Sequence, residues 1–220
     1  MEYMIHSCDK RLWYVEDYLV PSMLAQGIPK ENIRIWNDDE HEGCLTSYIR
    51  SFQKLRGRKR GTWHLQDDVA ICRDFSKRTE EHDDGIVYGF FFRHHNEKDL
   101  EICDGPLLVK HAGYSFPCIR IPNDIAGDFA EWFLTDARYR DPFQRWVSEK
   151  KYVDAFFLHF LKERYTDGSI YMMKPSIVEH VDWLLGGSTI NKWRDHICRA
   201  TYWDDEETIE DLKRQLAHRS

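Results

Sequence analysis

Short β-branched runs alternate with stretches of helical periodicity through the first third of the chain. That is the pattern of strands joined by crossover helices into a parallel or mostly parallel sheet. Tyr3-Met4-Ile5-His6 predicts a first strand, and Asp9 then offers a helix cap. Leu12, Val15, Leu19 and Leu24 mark one face of a helix that ends near Gly27, with a kink expected at Pro21. Ile33 to Trp36 predicts a second strand running into the acidic turn Asn37-Asp38-Asp39-Glu40. A helix follows from about Gly43, its buried side drawn by Leu45, Tyr48, Ile49, Phe52 and Leu55, and it stops at Gly57.

Thr62 to Leu65 predicts a third strand, which delivers Gln66-Asp67-Asp68 at its carboxyl end before Val69-Ala70 turns apolar again. Ile86 to Phe92 predicts a fourth strand, and the region from His94 to Gly105 a long polar loop. Leu107 to Lys110 and Cys118 to Ile121 suggest two further strands, followed by a helix from near Pro122 carrying Ile125, Phe129, Trp132 and Phe133. Another helix begins near Asp154 with Phe157, Leu158 and Leu161 on one face. Ser169 to Met172 is expected to be the last strand, Pro175 to His180 a loop, and the charged stretch beyond Trp203 a solvated terminal helix. The predicted organisation is one α/β domain over 1–203 with a charged C-terminal helix over 204–220.

Composition narrows the class. The chain has 220 residues, 42% of them hydrophobic and 14% aromatic, which is ample core for a single folded domain. Its longest apolar stretch is too short to span a bilayer, and Met-Glu-Tyr-Met is no basic-then-apolar leader, so a cytoplasmic protein without a membrane span is expected. The six Cys form no Cys-x-x-Cys pair and are read as reduced thiols. A net charge of −7 removes the overall basic field of a nucleic-acid-binding protein and leaves only the local run Arg56-Gly57-Arg58-Lys59-Arg60 for that role.

Open α/β sheets bind ligands at the carboxyl ends of their strands. Three polar groups are placed there: His6 to Asp9, Asn37 to Glu40, and Gln66 to Asp68. Two adjacent Asp leaving an apolar strand repel each other and lose hydration, so they call for a cation or a donor network, and a solvated Asp-Asp turn is the plain alternative. Strand alternation puts Gln66 and Asp68 on one face and Asp67 on the other.

Here the sequence resembles the GT-A class of nucleotide-sugar-dependent glycosyltransferases, in which a strand ends in Asp-x-Asp or Glu-Asp-Asp. The matching segment is Leu65-Gln66-Asp67-Asp68-Val69. Pro175-Ser176-Ile177-Val178-Glu179-His180 looks like the family's Pro-Ser-Leu-Val-x-His element, and Asp154 in Val153-Asp154-Ala155-Phe156-Phe157 is similar in position to the acidic base of inverting members. Gly43-Cys44-Leu45-Thr46-Ser47 is similar to a Gly-Cys-x-x-Ser helix start of some relatives. Gln66 departs from the pattern, since the family more often has an acid there.

The resemblance implies a single-domain GT-A fold and transfer of a sugar from a nucleotide-sugar, a UDP-sugar as first choice, to an acceptor hydroxyl. It implies Mn²⁺ or Mg²⁺ held by Asp68 and His180, the imidazole favouring Mn²⁺. Asp67 and Gln66 would face the donor sugar or ribose. Asp154 would act as base, with a helix cap as its plain alternative and Glu179 or Asp182 as weaker substitutes. His6 and Ser7 are candidates for the base or ribose, Asn37 and Asp38 for the base edge, and Arg11, Arg50 and Lys54 are weaker candidates for the diphosphate. A glycan or a hydroxylated base in DNA would be the acceptor. The rival classes are a non-catalytic nucleic-acid or protein-binding module built on Arg56 to Arg60, and a nucleotidyltransferase or nucleotide-sugar hydrolase with the same metal logic.

Overall fold

A computed structural model describes residues 1–58, 60–82, 84–90, 105–108, 116–135, 153–165, 169–187, 200 and 203–218. The predicted polar loop from His94 to Gly105 lies outside them up to residue 104, as do Phe91, Phe92, Lys59, Lys110, Trp146 and Trp193. Seven strands form one sheet in the order β2-β1-β3-β7-β5-β8-β6. They are β1 (Glu2–Ser7), β2 (Ile33–Asn37), β3 (Gly61–Gln66), β5 (Ile86–Tyr88), β6 (Gly105–Leu108), β7 (Cys118–Pro122) and β8 (Ser169–Met172). The pairings β1–β2, β1–β3 and β5–β8 are parallel, whereas β7 runs antiparallel to β3 and β5, and β6 to β8. Five strands therefore share one direction, and the sheet is mostly parallel, as expected.

Strand alternation sorts the core into two layers. Tyr3 and Ile5 of β1, with Trp63 and Leu65 of β3, face a cluster containing Val15, Leu19, Met23 and Phe75. Met4, Ile119 and Ile121 face the opposite cluster, built from α3 (Cys44–Leu55), α5 (Asn123–Thr135) and α6 (Val153–Arg164). The predicted stripe Leu45, Tyr48, Ile49, Phe52 and Leu55 is buried throughout on α3. Phe129 on α5 sits at its centre, with ring centroids 5.1 Å from Phe157, 5.4 Å from Phe160 and 5.9 Å from Phe52.

The first helical stretch starts with α1 (Asp9–Tyr14), widens into a π-helical turn at Val15–Leu19 and continues as α2 (Val20–Ala25). The wide turn sits just before Pro21, whose missing N–H breaks the ordinary ladder at that point. Asp9 is not the cap: Cys8 occupies that position without a side-chain hydrogen bond, and the Asp9 carboxylate accepts from Asn37 Nδ2 at 2.7 Å. After α4 (Phe75–Glu81) the expected long strand from Ile86 closes at Tyr88. A Cβ on Gly89 would come within 2.7 Å of Ile177, so this glycine lets the chain pass close under the segment leading to His180.

Three further expectations are corrected. Ser169–Met172 is not the last strand, and Pro175 to His180 is not wholly a loop. Val178–His180 forms β9, which pairs antiparallel with β4 (Val69–Ile71) in a second, two-stranded sheet. Three residues are too few for a visible alternation, and their pairing is set by the distant partner. The terminal helix α7 (Glu206–Ala217) is not simply solvated either. Ile209 is 1% and Leu212 7% exposed against the β4 side of the core, and Arg73 reaches Glu207 at 2.6 Å, with Asp205 and Asp211 beside it. Asp205 caps α7 by accepting from the Thr208 N–H at 3.2 Å.

Between sheet and α3 lies a buried histidine pair, His6 Nε2 and His64 Nδ1 at 2.9 Å, with His6 stacked on Tyr48 at 3.6 Å. Burial holds both rings neutral: it drives His64 down to about 3, and burial with the neighbouring ring drives His6 well below the usual imidazole range. The folded chain then binds fewer protons than the unfolded one wherever pH is below the unfolded value of about 6.5. Stability from this pair is complete above that pH and is lost progressively as pH falls towards the folded values. Urea unfolding at pH 7 and pH 5 should show a clearly lower midpoint at pH 5, and a smaller drop in His64→Phe. Equal midpoints in the wild-type chain would contradict the neutral pair.

Candidate active site

The parallel strands β1, β2 and β3 end together at Ser7, Asn37 and Gln66. The two Asp follow directly in the turn between β3 and β4. Asp67 is tied back to β1, accepting from the Cys8 N–H at 3.1 Å, with Ser7 beside it helping to favour its charged form. Asp68 is tied to β9, its carbonyl accepting from the Val181 N–H at 2.8 Å. Because Val69 stands opposite His180 in the β4–β9 register, the residue before Val69 is brought to the imidazole: His180 Nε2 lies 3.2 Å from Asp68 Oδ1. The other ring nitrogen, Nδ1, faces Asp182 Oδ1 at 3.5 Å, and all three side chains are nearly inaccessible.

The electrostatics of the acidic pair split. Burial, followed by the charge of Asp68, pushes Asp67 up to about 7. Burial acts on Asp68 in the same direction, but the adjoining His180 outweighs it and holds that carboxyl below its ordinary value. A charged carboxylate in a buried place demands a positive partner. The positive or donor partner on hand for Asp68 Oδ1 is the His180 ring, and no other aligned donor among the described residues reaches that oxygen. Adjacent octahedral ligands at about 2.1 Å from one ion stand roughly 3 Å apart, close to the 3.2 Å between these two atoms. The donor set thus fits a divalent ion with two protein ligands; among the described residues no cluster of three or more His, Cys, Asp or Glu is arranged as a complete cage.

Asp154 opens α6 and is partly buried. Burial and then the Asp154, Asp67 and Asp68 carboxylates raise the Cys44 thiol, and burial, Cys44 and the same three acids raise the Tyr48 hydroxyl. The three acids therefore share one electrostatic neighbourhood at the start of α3. That start is freed by Gly43, whose φ of 91° admits few side chains, and by Asp38, whose two oxygens accept from the Glu42 and Gly43 N–H groups at 3.0 and 2.9 Å.

The remaining expected residues divide. Gln66 is partly buried at the end of β3, beside the acids. Ser7 is at the site, as a partner of Asp67. Asn37 is at the rim, bonded to Asp9 and Asp39. The His6 ring is directed into the core towards His64 and Tyr48 instead of the strand ends, and the Asp38 carboxylate is engaged in shaping its own turn. Arg50 is paired with Glu40 at 2.8 Å and with Glu42, and Lys54 lies over Trp36 at 4.5 Å, both away from the acidic pair. In the basic run, Arg56 pairs with Glu131 and Arg58 with Glu2, which weakens it as a nucleic-acid contact.

Three features were not read from the sequence. Arg11 is buried and donates to the Leu185 and Gly187 carbonyls, clamping the turn that follows His180. Glu179, fully buried, accepts from the N–H groups of His180 at 2.9 Å and Ala200 at 2.7 Å, so it serves as a clasp and not as a substitute base. Asp182 stands behind the imidazole. A charged residue flanked on both sides by Val178 and His180 in a short apolar segment was the available signal for the second of these.

No protein-family model matches the chain, and a search of curated proteins finds no match. Solved structures do match. The S. aureus TarS 1–349 structure aligns with a TM-score of 0.50 and 11% identity over 84% of this chain, which spans 62% of that chain, less than two thirds of it. A197 from STIV gives a TM-score of 0.45 at 16% identity, covering 82% of this chain and 85% of that one. The galactosyltransferase LgtC, in complex with donor and acceptor sugar analogs, gives 0.47 at 13% identity, covering 98% and 96%. With the TarS structure the chain shares its fold, a mixed α/β arrangement with a mostly parallel central sheet flanked by helices. Among the described residues no helix is long and apolar enough to cross a membrane. The described cysteines Cys8, Cys44, Cys72 and Cys118 are free, while Cys103 and Cys198 lie outside the described residues.

Proposed function

We propose that this protein is a metal-dependent glycosyltransferase that moves a sugar from a nucleotide-sugar, a UDP-sugar as first choice, to an acceptor hydroxyl. The observation that carries the reading is the meeting of Asp68 with His180, two buried potential metal ligands from distant segments, at the carboxyl ends of parallel strands. Asp68 and His180 would hold Mn²⁺ or Mg²⁺, and phosphate oxygens and water would complete the shell. When bound, the ion neutralises charge that develops on the departing diphosphate. Asp67, anchored by Cys8 with Ser7 beside it, would face the ribose or donor sugar with Gln66 and Asn37 near it.

In the same reading Asp154 takes the proton of the acceptor hydroxyl as the new glycosidic bond forms, which makes the enzyme inverting. The acceptor is a glycan, with a hydroxylated base in DNA as the other case to assay, and the setting is the cytoplasm. Calorimetry with UDP tests the first half: binding should require Mn²⁺ and vanish in Asp68→Ala. UDP binding that ignores both the ion and the substitution would reject the proposed site. Asp154→Asn tests the second half. Transfer should fall by roughly 10²–10⁴-fold while UDP affinity stays unchanged, and a variant with near-normal turnover would remove Asp154 from the chemistry. Product analysis separates transfer from hydrolysis, since free sugar without acceptor product would indicate a hydrolase.

A further inference from the structure

The basic run that the candidate active site leaves unused contributes to a second place on the surface. A groove of about 390 Å³ is lined by Met4, Arg34, Trp36, Lys54, Leu55 and Arg58, with Ile35 at its lip. It lies where the edge strand β2 meets the carboxyl end of α3, and it shares no lining residue with the acidic pair, His180 or Asp154. Arg34 and Trp36 are two residues apart on β2 and so face the same way, while Lys54 and Arg58 approach from the end of α3.

We infer that this groove binds a compact phosphate monoester, a ligand of mononucleotide or phosphosugar size. Three cations line it, and the carboxylate among them is Glu2, which lies 3.8 Å from Arg34 and 3.1 Å from Arg58. The local balance of three positive charges and one negative leaves two, which matches the nearly double charge of a phosphate monoester near neutral pH better than a single carboxylate. Each guanidinium makes one contact with Glu2 and offers a fork of further N–H donors, the geometry suited to phosphate oxygens. Lys54 sits 4.5 Å from the Trp36 ring centre, so a ligand that draws the ammonium onto its phosphate uncovers an aromatic face for a base or sugar ring. The volume lies within the range of small-molecule pockets. A long nucleic acid is a poorer match, because the chain carries −7 overall.

The test is calorimetry with adenosine monophosphate and with a single-stranded oligothymidylate, in EDTA and in the Asp68→Asn background. Under those conditions the proposed metal-dependent donor site cannot contribute, so the two readings fail independently. Adenosine monophosphate should bind, with affinity lowered at least about tenfold in Arg34→Ala/Lys54→Ala/Arg58→Ala and raised in Glu2→Gln. The single change Lys54→Gln, at an exposed helix end, provides a folded control that should also weaken binding. The inference is overturned if the mononucleotide does not bind at millimolar concentration. It is equally overturned if binding survives the triple change, or if only the oligonucleotide binds, which would make this a nucleic-acid face.

Discussion

Asp68→Asn should abolish Mn²⁺-dependent UDP binding and lower sugar transfer by roughly 10²–10³-fold, the scale on which removal of one charge-stabilising group acts. The change keeps the shape of the side chain and its backbone bond from Val181, so the β4–β9 pairing has no reason to open. It removes the negative charge that His180 stabilises and that, after burial, holds Asp67 up near 7. Relief of the Asp67–Asp68 repulsion is opposed by loss of the His180 partner, which holds Asp68 below its ordinary value, so thermal stability without metal should fall modestly. Loss of metal-dependent binding in a variant that remains folded is the informative combination. Full metal-dependent binding in the variant would show that the ion, if used, is held elsewhere.

Phe129→Ala should have the largest effect on folding. Its ring is completely buried and touches Phe52, Trp132, Phe157 and Phe160 across three helices. Truncation of such a side chain removes its transfer free energy and leaves a hole that rigid neighbours cannot refill, about 3–5 kcal/mol. For a chain of this size the melting midpoint should fall by roughly 6–20 °C. Leu134, five residues along the same helix and 48% exposed, is the contrast: Leu134→Ala should change stability by no more than about 0.5 kcal/mol. Similar losses at the two positions would mean that α5 does not pack as described.

How much of this was legible in the sequence follows from the range of each interaction. The stripe on α3 and the runs of β1, β2 and β3 carry their periodicity locally, and their positions match the expected ones. The carboxyl-end placement of Asp67 and Asp68 follows from those strands, so their position in the fold was readable. The β4–β9 pair was not, because three residues on each side have no period of their own. The destination of the His6 ring was hidden for another reason: an alternating strand tells which face a residue takes, but not that His64, 58 residues away in sequence on the neighbouring strand β3, hydrogen-bonds to it there. Arg11 was a weaker candidate for the diphosphate, and only the turn after His180, with Gly187 at a φ of 90°, supplies the carbonyls that bury it. Asp38 was chosen for its position after β2, and its carboxylate is drawn instead to the open N–H groups ahead of α3.

The small β4–β9 sheet also fixes when the site comes into existence. Chains leave the ribosome amino end first, and β9 is encoded far downstream of the strand it joins. A nascent chain that has completed β1, β2 and β3 carries both aspartates but no imidazole to set against them. The contact between Asp68 and His180 therefore waits for β9, and translation arrested before that strand would yield a product with both aspartates and no imidazole set against them.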